Sequence, residues 1–222
     1  MSLDLSIVVP SIRPDYLRGC VESIKQVIPE AEVVVVSTSV NCSLAQELGC
    51  VFVAEPENFV SLNAVFNEGF RAATRDFVLW FNDDAKLLKL PDVDLDPDTL
   101  YAIGVSENEK AEKADYYVKQ HIIYYPDFGL FSRALGARLG WWDDRYTFYW
   151  ADTDFACKVW ESGDGVEPLL GSLVYHSPHR DESKEKGQAL FGVDQEKFFA
   201  KWNSKRDMLN AKLEAKKNSK ST

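Results

Sequence analysis

The sequence predicts an α/β fold with a mostly parallel, Rossmann-like central sheet flanked by helices, and three observations predict it. Short β-branched runs alternate with helix-patterned segments over the first 85 residues. One of these runs, Val33-Val34-Val35-Val36, is apolar without interruption. Polar residues cluster just after each run. A continuous apolar run marks a strand buried on both faces, and that requires crossover helices on both sides of the sheet.

The elements follow in order. Residues 5–10 form a strand stopped by proline, and residues 15–27 place Leu17, Val21, Ile24 and Val27 at the spacing of one helix face. Residues 31–37 read as the second strand, 43–48 as a short helix and 50–54 as the third strand. Residues 62–74 read as a helix with Val65, Phe66 and Phe70 on one side, and 76–81 as the fourth strand. This β-α-β-α-β-α-β alternation is the signature of a parallel sheet. The pattern then loosens: 86–98 is rich in Pro and Asp, and 107–119 is a charged surface stretch. Strands are expected again at 101–105, 121–125 and 129–132, a helix at 152–162 ending near Gly163, and a late strand at 171–176. From Asp194 onward, Phe198, Phe199, Trp202, Leu209 and Leu213 interleave with lysines as an amphipathic terminal helix.

The chain has 222 residues, 45% hydrophobic and 13% aromatic, enough apolar material for one domain with an extension. No apolar run reaches the roughly 18 residues of a membrane span. The opening residues lead straight into a strand without a basic region and apolar stretch, so the expectation is no signal peptide and a cytosolic location. Cys20, Cys42, Cys50 and Cys157 show no metal or redox spacing and read as reduced thiols. Residues 1–180 carry a balance of −13 and residues 181–222 a balance of +3, within a net charge of −10. An acidic body disfavours a nucleic-acid surface, which needs a cationic footprint. Converging carboxylates suit a divalent cation instead.

In open parallel sheets ligands bind beyond the carboxyl ends of the strands. There lie Pro10-Ser11-Ile12-Arg13, Ser37-Thr38, Glu55-Pro-Glu-Asn58 and Asn82-Asp83-Asp84. The last group puts hard oxygen atoms at the sheet edge, where they would suit Mg²⁺ or Mn²⁺ bridging a diphosphate; a turn or helix cap is the other reading. Asp152 and Asp154 follow a dense aromatic run: one could cap the helix, and the other, desolvated by rings, could act as a general base. His176 and His179 follow the late strand, as structural residues or as a metal ligand.

Taken in order these segments resemble the family 2 glycosyltransferases of the GT-A fold, most closely their rhamnosyltransferase-like members. The resemblance rests on Ser6-Ile-Val-Val-Pro10-Ser-Ile-Arg13-Pro-Asp-Tyr-Leu17; on Asn58, Asn63, Asn67-Glu-Gly69 and Ala72; and on Phe81-Asn82-Asp83-Asp84 at the DxD position. It continues through Gly129-Leu-Phe-Ser-Arg133, Leu139-Gly140-Trp-Trp-Asp143-Asp-Arg-Tyr146 and Trp150-Ala-Asp152-Thr-Asp154-Phe155, and covers roughly residues 5 to 180. It implies a donor half at 1–86, an acceptor half at 100–180, and a C-terminal helical extension at 181–222. It also implies a metal-dependent, inverting transferase of the hexosyltransferase type. Such an enzyme moves a sugar from a nucleotide-diphosphate sugar to a hydroxyl acceptor, a glycan for preference, with Mn²⁺ or Mg²⁺ as cofactor.

In that reading Asp84 and His176 hold the metal, and Pro10, Ser11, Arg13, Ser37, Asn63, Asn67 and Asp83 face the donor. Asp152 is the catalytic base, and Trp141, Trp142, Trp150 and Asp154 face the acceptor, with core packing as the other role for the rings. Three positions depart from the family pattern: Ser37-Thr38 replaces an aspartate that contacts the nucleobase, and Asn82 and Ala151 replace acidic residues. A catalytically inactive nucleotide- or glycan-binding module and a nucleotidyltransferase are the alternatives. The basic, aromatic C-terminal helix could dock on an anionic membrane or pack on the domain.

Overall fold

The structure is a computed structural model that describes residues 3–56, 61–120, 123–178 and 182–211. Asn58, His121, His179 and Leu213, which figure in the sequence reading, lie outside the described residues. The elements run β1 (Leu5–Pro10), α1 (Pro14–Val27), β2 (Glu32–Ser37), α2 (Cys42–Glu47), β3 (Val51–Ala54), α3 (Leu62–Ala72), β4 (Phe77–Trp80) and β5 (Ala85–Lys89). They continue with β6 (Thr99–Ala102), β7 (Val105–Ser106), β8 (Val118–Gln120), β9 (Ile123–Tyr125), β10 (Gly129–Ser132) and α4 (Arg133–Leu139). Last come α5 (Ala151–Ser162), β11 (Gly165–Pro168), β12 (Leu173–His176) and α6 (Glu182–Trp202).

Among the described residues the main sheet has seven strands in the order β11-β6-β10-β4-β1-β2-β3. β1, β2, β3 and β4 pair in parallel, as do β6 and β11, while β10 alone runs antiparallel to its neighbours β4 and β6. The expected alternation over the first 85 residues is therefore present, and its physical basis is visible in β2. Val33 and Val35 pack with Leu17, Val21 and Ile24 of α1 on one face. Val34 and Val36 pack with Val65, Phe66 and Phe70 of α3 on the other. α3 sits so close that a Cβ on Gly69 would lie 2.2 Å from Val8 Cγ1 and 2.9 Å from Val36 Cγ2. Only glycine permits that approach.

A second sheet, β5-β12-β7, lies beyond β4. The sequence pattern predicts no strand at β5, because its in-out alternation (Ala85 and Leu87 buried) is short and bounded by the Asp83-Asp84 turn and Pro91. The single strand expected at 101–105 is two strands, β6 and β7, which enter different sheets. α4 and β11 carry no clear periodic signal either, being only 7 and 4 residues long. The terminal helix begins at Glu182, twelve residues before the expected start at Asp194; two glycines and many charges conceal its first half. Its residues Phe198 and Trp202 are buried against Trp150 and the α5 side of the core. Of the two roles the sequence leaves open for this aromatic face, packing on the domain is the one that Phe198 and Trp202 take. The four cysteines form no disulfide, and Cys20 and Cys157 are buried.

Candidate active-site cleft

A cleft of about 690 Å³ opens at the carboxyl ends of β1, β2 and β4. One wall is Pro10, Ser11, Ile12, Arg13, Thr38 and Glu55, the floor includes Asn82, Asp83, Asp84 and Trp80, and residues of α5, β9 and α6 complete the lining.

The floor forms because β4 ends in a tight turn: Ala85 N donates to the Asn82 carbonyl at 3.2 Å, and the chain reverses into β5. The turn reading of Asn82-Asp83-Asp84 and the ligand reading coincide, since the turn aims the carboxylates at the cleft. Asp83 is 7% exposed and accepts from Ser11 Oγ at 2.7 Å and Arg13 Nε at 3.1 Å, with a second guanidinium nitrogen on its other oxygen. This bidentate pair ties the loop after β1 to the turn after β4.

Asp84 meets His176 across the second sheet. β12 runs antiparallel to β5 with His176 opposite Ala85, which brings His176 Nε2 to 3.3 Å from Asp84 Oδ1. His176 Nδ1 lies 3.2 Å from Asp127 Oδ2. Burial alone would lower the imidazole pKa, but the Asp127 and Asp84 carboxylates outweigh it and raise it to about 9. A carboxylate oxygen and an imidazole nitrogen at this separation fit a divalent cation, which on binding would displace the proton that the two carboxylates hold on the ring; Nε2 is buried without an aligned hydrogen bond. Among the described residues no three His, Cys, Asp or Glu side chains are grouped to hold an ion by themselves. Further coordination positions would fall to substrate oxygens and water, the habit of Mg²⁺.

Asp152, in the first turn of α5, lines the same cleft. Burial, reinforced by the charge of Asp127, pushes its carboxyl up to about 7, against the pull of the Thr153 backbone amide at 2.6 Å. Tyr125, also in the cleft, is raised by burial and by the charges of Asp152 and Asp127. A carboxyl poised near neutrality beside open space is the property a general base requires. Neither Asp152 nor Asp154 is the helix cap: that position belongs to Trp150, in a left-handed conformation with φ 73°.

Several expected site residues lie outside the cleft, and others reach its edge while held by the fold. Asp154 is fully buried and does not line the cleft; Lys201, Trp202 Nε1 at 2.6 Å and Tyr146 Oη at 3.0 Å use its oxygens. Ser37 is fully buried and accepts from Asn41 Nδ2 at 3.1 Å, leaving Thr38 as the residue of that loop on the cleft wall. Asn67 braces the segment after α4, donating to the Trp142 carbonyl at 2.9 Å and accepting from Trp142 N at 3.1 Å. Asn63 reaches the cleft wall, yet its amide nitrogen is committed to the Tyr146 carbonyl at 2.7 Å. Of the tryptophans, Trp142 edges the cleft while packed on Phe66, with ring centroids 4.6 Å apart. Trp141 stacks on Phe70, and Trp150 packs on Phe191 and Phe198. Buried rings and buried amides satisfy the fold first, which is why Ser37, Asn67, Trp141, Trp150 and Asp154 do not line the cleft.

Asp127, Tyr125, Phe148 and Leu190 line the cleft without being singled out as site residues by the sequence pattern, and Glu55 lines it as well. Glu55 follows a recognised strand and lies within reach of the strand-end rule. Asp127 carries no signal, being one acidic residue among 35.

No family model and no curated protein matches the sequence. Solved structures do. GalNAc-T7 with UDP, GalNAc and Mn²⁺ superimposes with a TM-score of 0.64 at 16% identity, over 82% of this chain and 45% of that one. The mannosyltransferase PcManGT from Pyrobaculum calidifontis, in complex with GDP-Man and Mn²⁺, gives 0.59 at 17% identity, over 85% of this chain and 61% of that one. S. aureus TarS 1-349 gives 0.60 at 13% identity, over 95% and 70%. The chain spans about half the length of the first two. All three are GT-A-type glycosyltransferases, and at these identities the likeness is one of backbone. With its mostly parallel seven-stranded sheet and a cleft at the strand ends, the chain has the GT-A fold.

Proposed function

We propose that the protein is a metal-dependent, inverting glycosyltransferase of the hexosyltransferase type, close to the rhamnosyltransferase-like members of family 2. It would transfer a sugar from a nucleotide-diphosphate sugar to a hydroxyl of a glycan acceptor. One observation carries the reading: the Asp84–His176 pair and the Asp152 carboxyl, raised to about 7, line one cleft, and the Asp127 charge acts on both His176 and Asp152. In this scheme residues 1–86 hold the donor and 100–180 face the acceptor.

Asp84 and His176 would hold Mn²⁺ or Mg²⁺, which when bound offsets the charge of the diphosphate as a Lewis acid. Arg13, locked to Asp83, fixes the loop after β1 and presents Ser11 and Ile12 to the donor wall. Asp152 takes the acceptor hydroxyl proton as that oxygen bonds to the anomeric carbon. The bond from that carbon to the phosphate oxygen breaks in the same step, and the nucleoside diphosphate leaves with the electron pair. A single displacement inverts the anomeric centre, and Phe148, Tyr149 and Leu190 exclude water from that side of the cleft.

The test is a panel of UDP-, GDP- and dTDP-sugars with Mn²⁺ and glycan acceptors, with the product's anomeric configuration read by NMR. Transfer with inversion that is lost in Asp152→Asn supports the reading. Nucleotide binding with neither transfer nor donor hydrolysis would make the protein a binding module. Retention of configuration would overturn the single displacement.

A further inference from the structure

Asp194, midway along α6, is fully buried. Its carboxylate accepts from three consecutive backbone amides, Thr147 N at 2.9 Å, Phe148 N at 2.8 Å and Tyr149 N at 3.1 Å. Lys197, one turn on, donates to the same carboxylate at 2.9 Å and to the Arg145 carbonyl at 2.6 Å. Burial opposes the charge, but Lys197 and the three amides outweigh it and hold the carboxyl below its usual range. A buried carboxylate persists only with such compensation, and charge-assisted bonds to backbone amides are among the strong ones.

The segment held in this way is the one that matters to the cleft. Phe148 and Tyr149 line it, Trp150 turns the chain with its left-handed backbone, and Asp152 follows in the first turn of α5. α6 also reaches the wall directly through Leu190, and at Gly187 it comes so close that a Cβ would lie 2.6 Å from the Phe148 ring. A contact serving helix docking alone would be met by the apolar seam of Phe191, Phe198 and Trp202.

We propose that Asp194 is a positioning residue: it fixes the backbone of residues 147–149, and through it the Phe148–Tyr149 wall and the Asp152 carboxylate. The C-terminal helix thereby completes the acceptor side of the cleft. This rests on the reading of Asp152 as the base.

The test uses the full chain with Asp194→Asn, which keeps the shape and loses the charge, and Asp194→Glu as the conservative partner. Calorimetry with a nucleoside diphosphate and Mn²⁺ reports the donor side. Transfer kinetics report kcat and the acceptor KM, and ¹³C NMR follows the Asp152 carboxyl, whose neighbours Asp127, Tyr125 and Thr153 are unaltered. In Asp194→Asn, nucleotide affinity stays within about twofold while kcat falls at least about tenfold, as expected when reacting groups are misplaced by a fraction of an ångström. The Asp152 midpoint moves away from about 7, and Asp194→Glu recovers part of both. Unchanged kcat together with an unchanged midpoint would overturn the proposal, and so would equal losses of nucleotide affinity and kcat. If the wild type transfers no sugar, the function proposed above fails, and the carboxyl titration alone still decides the positioning role. Should Asp194→Asn not fold, Lys197→Met, which removes the carboxylate's cation, is read by the same measurements with the same outcomes.

Discussion

His176 Nε2 lies 3.3 Å from Asp84 Oδ1 because β12 folds back antiparallel beside β5 and carries the histidine to the turn that ends β4. In the proposed scheme, removing Asp84 leaves His176 and Asp127 but takes away the oxygen ligand on the cleft floor. Asp84→Ala should therefore bind a nucleoside diphosphate equally with Mn²⁺ and with EDTA, whereas the wild type binds more tightly with Mn²⁺. Isothermal calorimetry distinguishes the two, and a persistent Mn²⁺ effect in the variant would remove Asp84 from the metal site.

As the proposed base, Asp152 would act only when deprotonated, and its carboxyl is raised to about 7. The wild-type kcat/KM should rise with pH through an apparent pKa near that value. Asp152→Asn should lose the ascending limb and about two to four orders of magnitude in transfer, with nucleotide affinity intact. A variant with full activity would exclude Asp152 from the chemistry.

The raised Asp152 carboxyl bears on stability too, with a definite sign. The folded carboxyl holds its proton up to about pH 7, whereas the unfolded chain releases it near the ordinary aspartate value of 3.8. Over that window the folded state binds more protons at Asp152, so this carboxyl's contribution to wild-type stability falls as pH rises and levels off above about 7. Asp152→Asn cannot ionise and should gain on the wild type across the window. The gain is on the order of a few kcal/mol at pH 8, since each pH unit separating the folded and unfolded midpoints is worth about 1.4 kcal/mol. Urea denaturation at pH 4.5 and pH 8 measures it, and a constant difference between the two proteins would contradict the raised value.

Gly69 carries the contact of α3 with the sheet. An alanine there gains about 1 kcal/mol of helix propensity, yet its methyl would meet Val8 Cγ1 at 2.2 Å. Overpacking of this kind costs about 1–3 kcal/mol or more. Gly69→Ala should lower the urea midpoint despite the better helix former, and a raised midpoint would show that α3 can shift.

How far these relationships are legible in the chain varies with their range along it. The seam of α1 on β2 can be read from Leu17, Val21, Ile24 and Val33 to Val36, because 3.6-residue and two-residue periodicities are local consequences of backbone geometry. The turn at Asn82-Asp83-Asp84 is legible for the same reason. The roles of Asn67 and Asp154 are not, since either could face a ligand as readily as a buried backbone or lysine.

The sequence by itself determined the parallel half of the sheet, the helices on its two faces and the acidic turn at its edge, all set by short-range patterning. The family resemblance already paired His176 with Asp84; only the tertiary structure decided that Trp141 and Trp150 belong to the core, and that Asp194 of a C-terminal helix grips the segment leading to Asp152. The physical reason is that these outcomes depend on strand register and on which partner satisfies each buried polar group. Neither leaves a periodic trace in the chain.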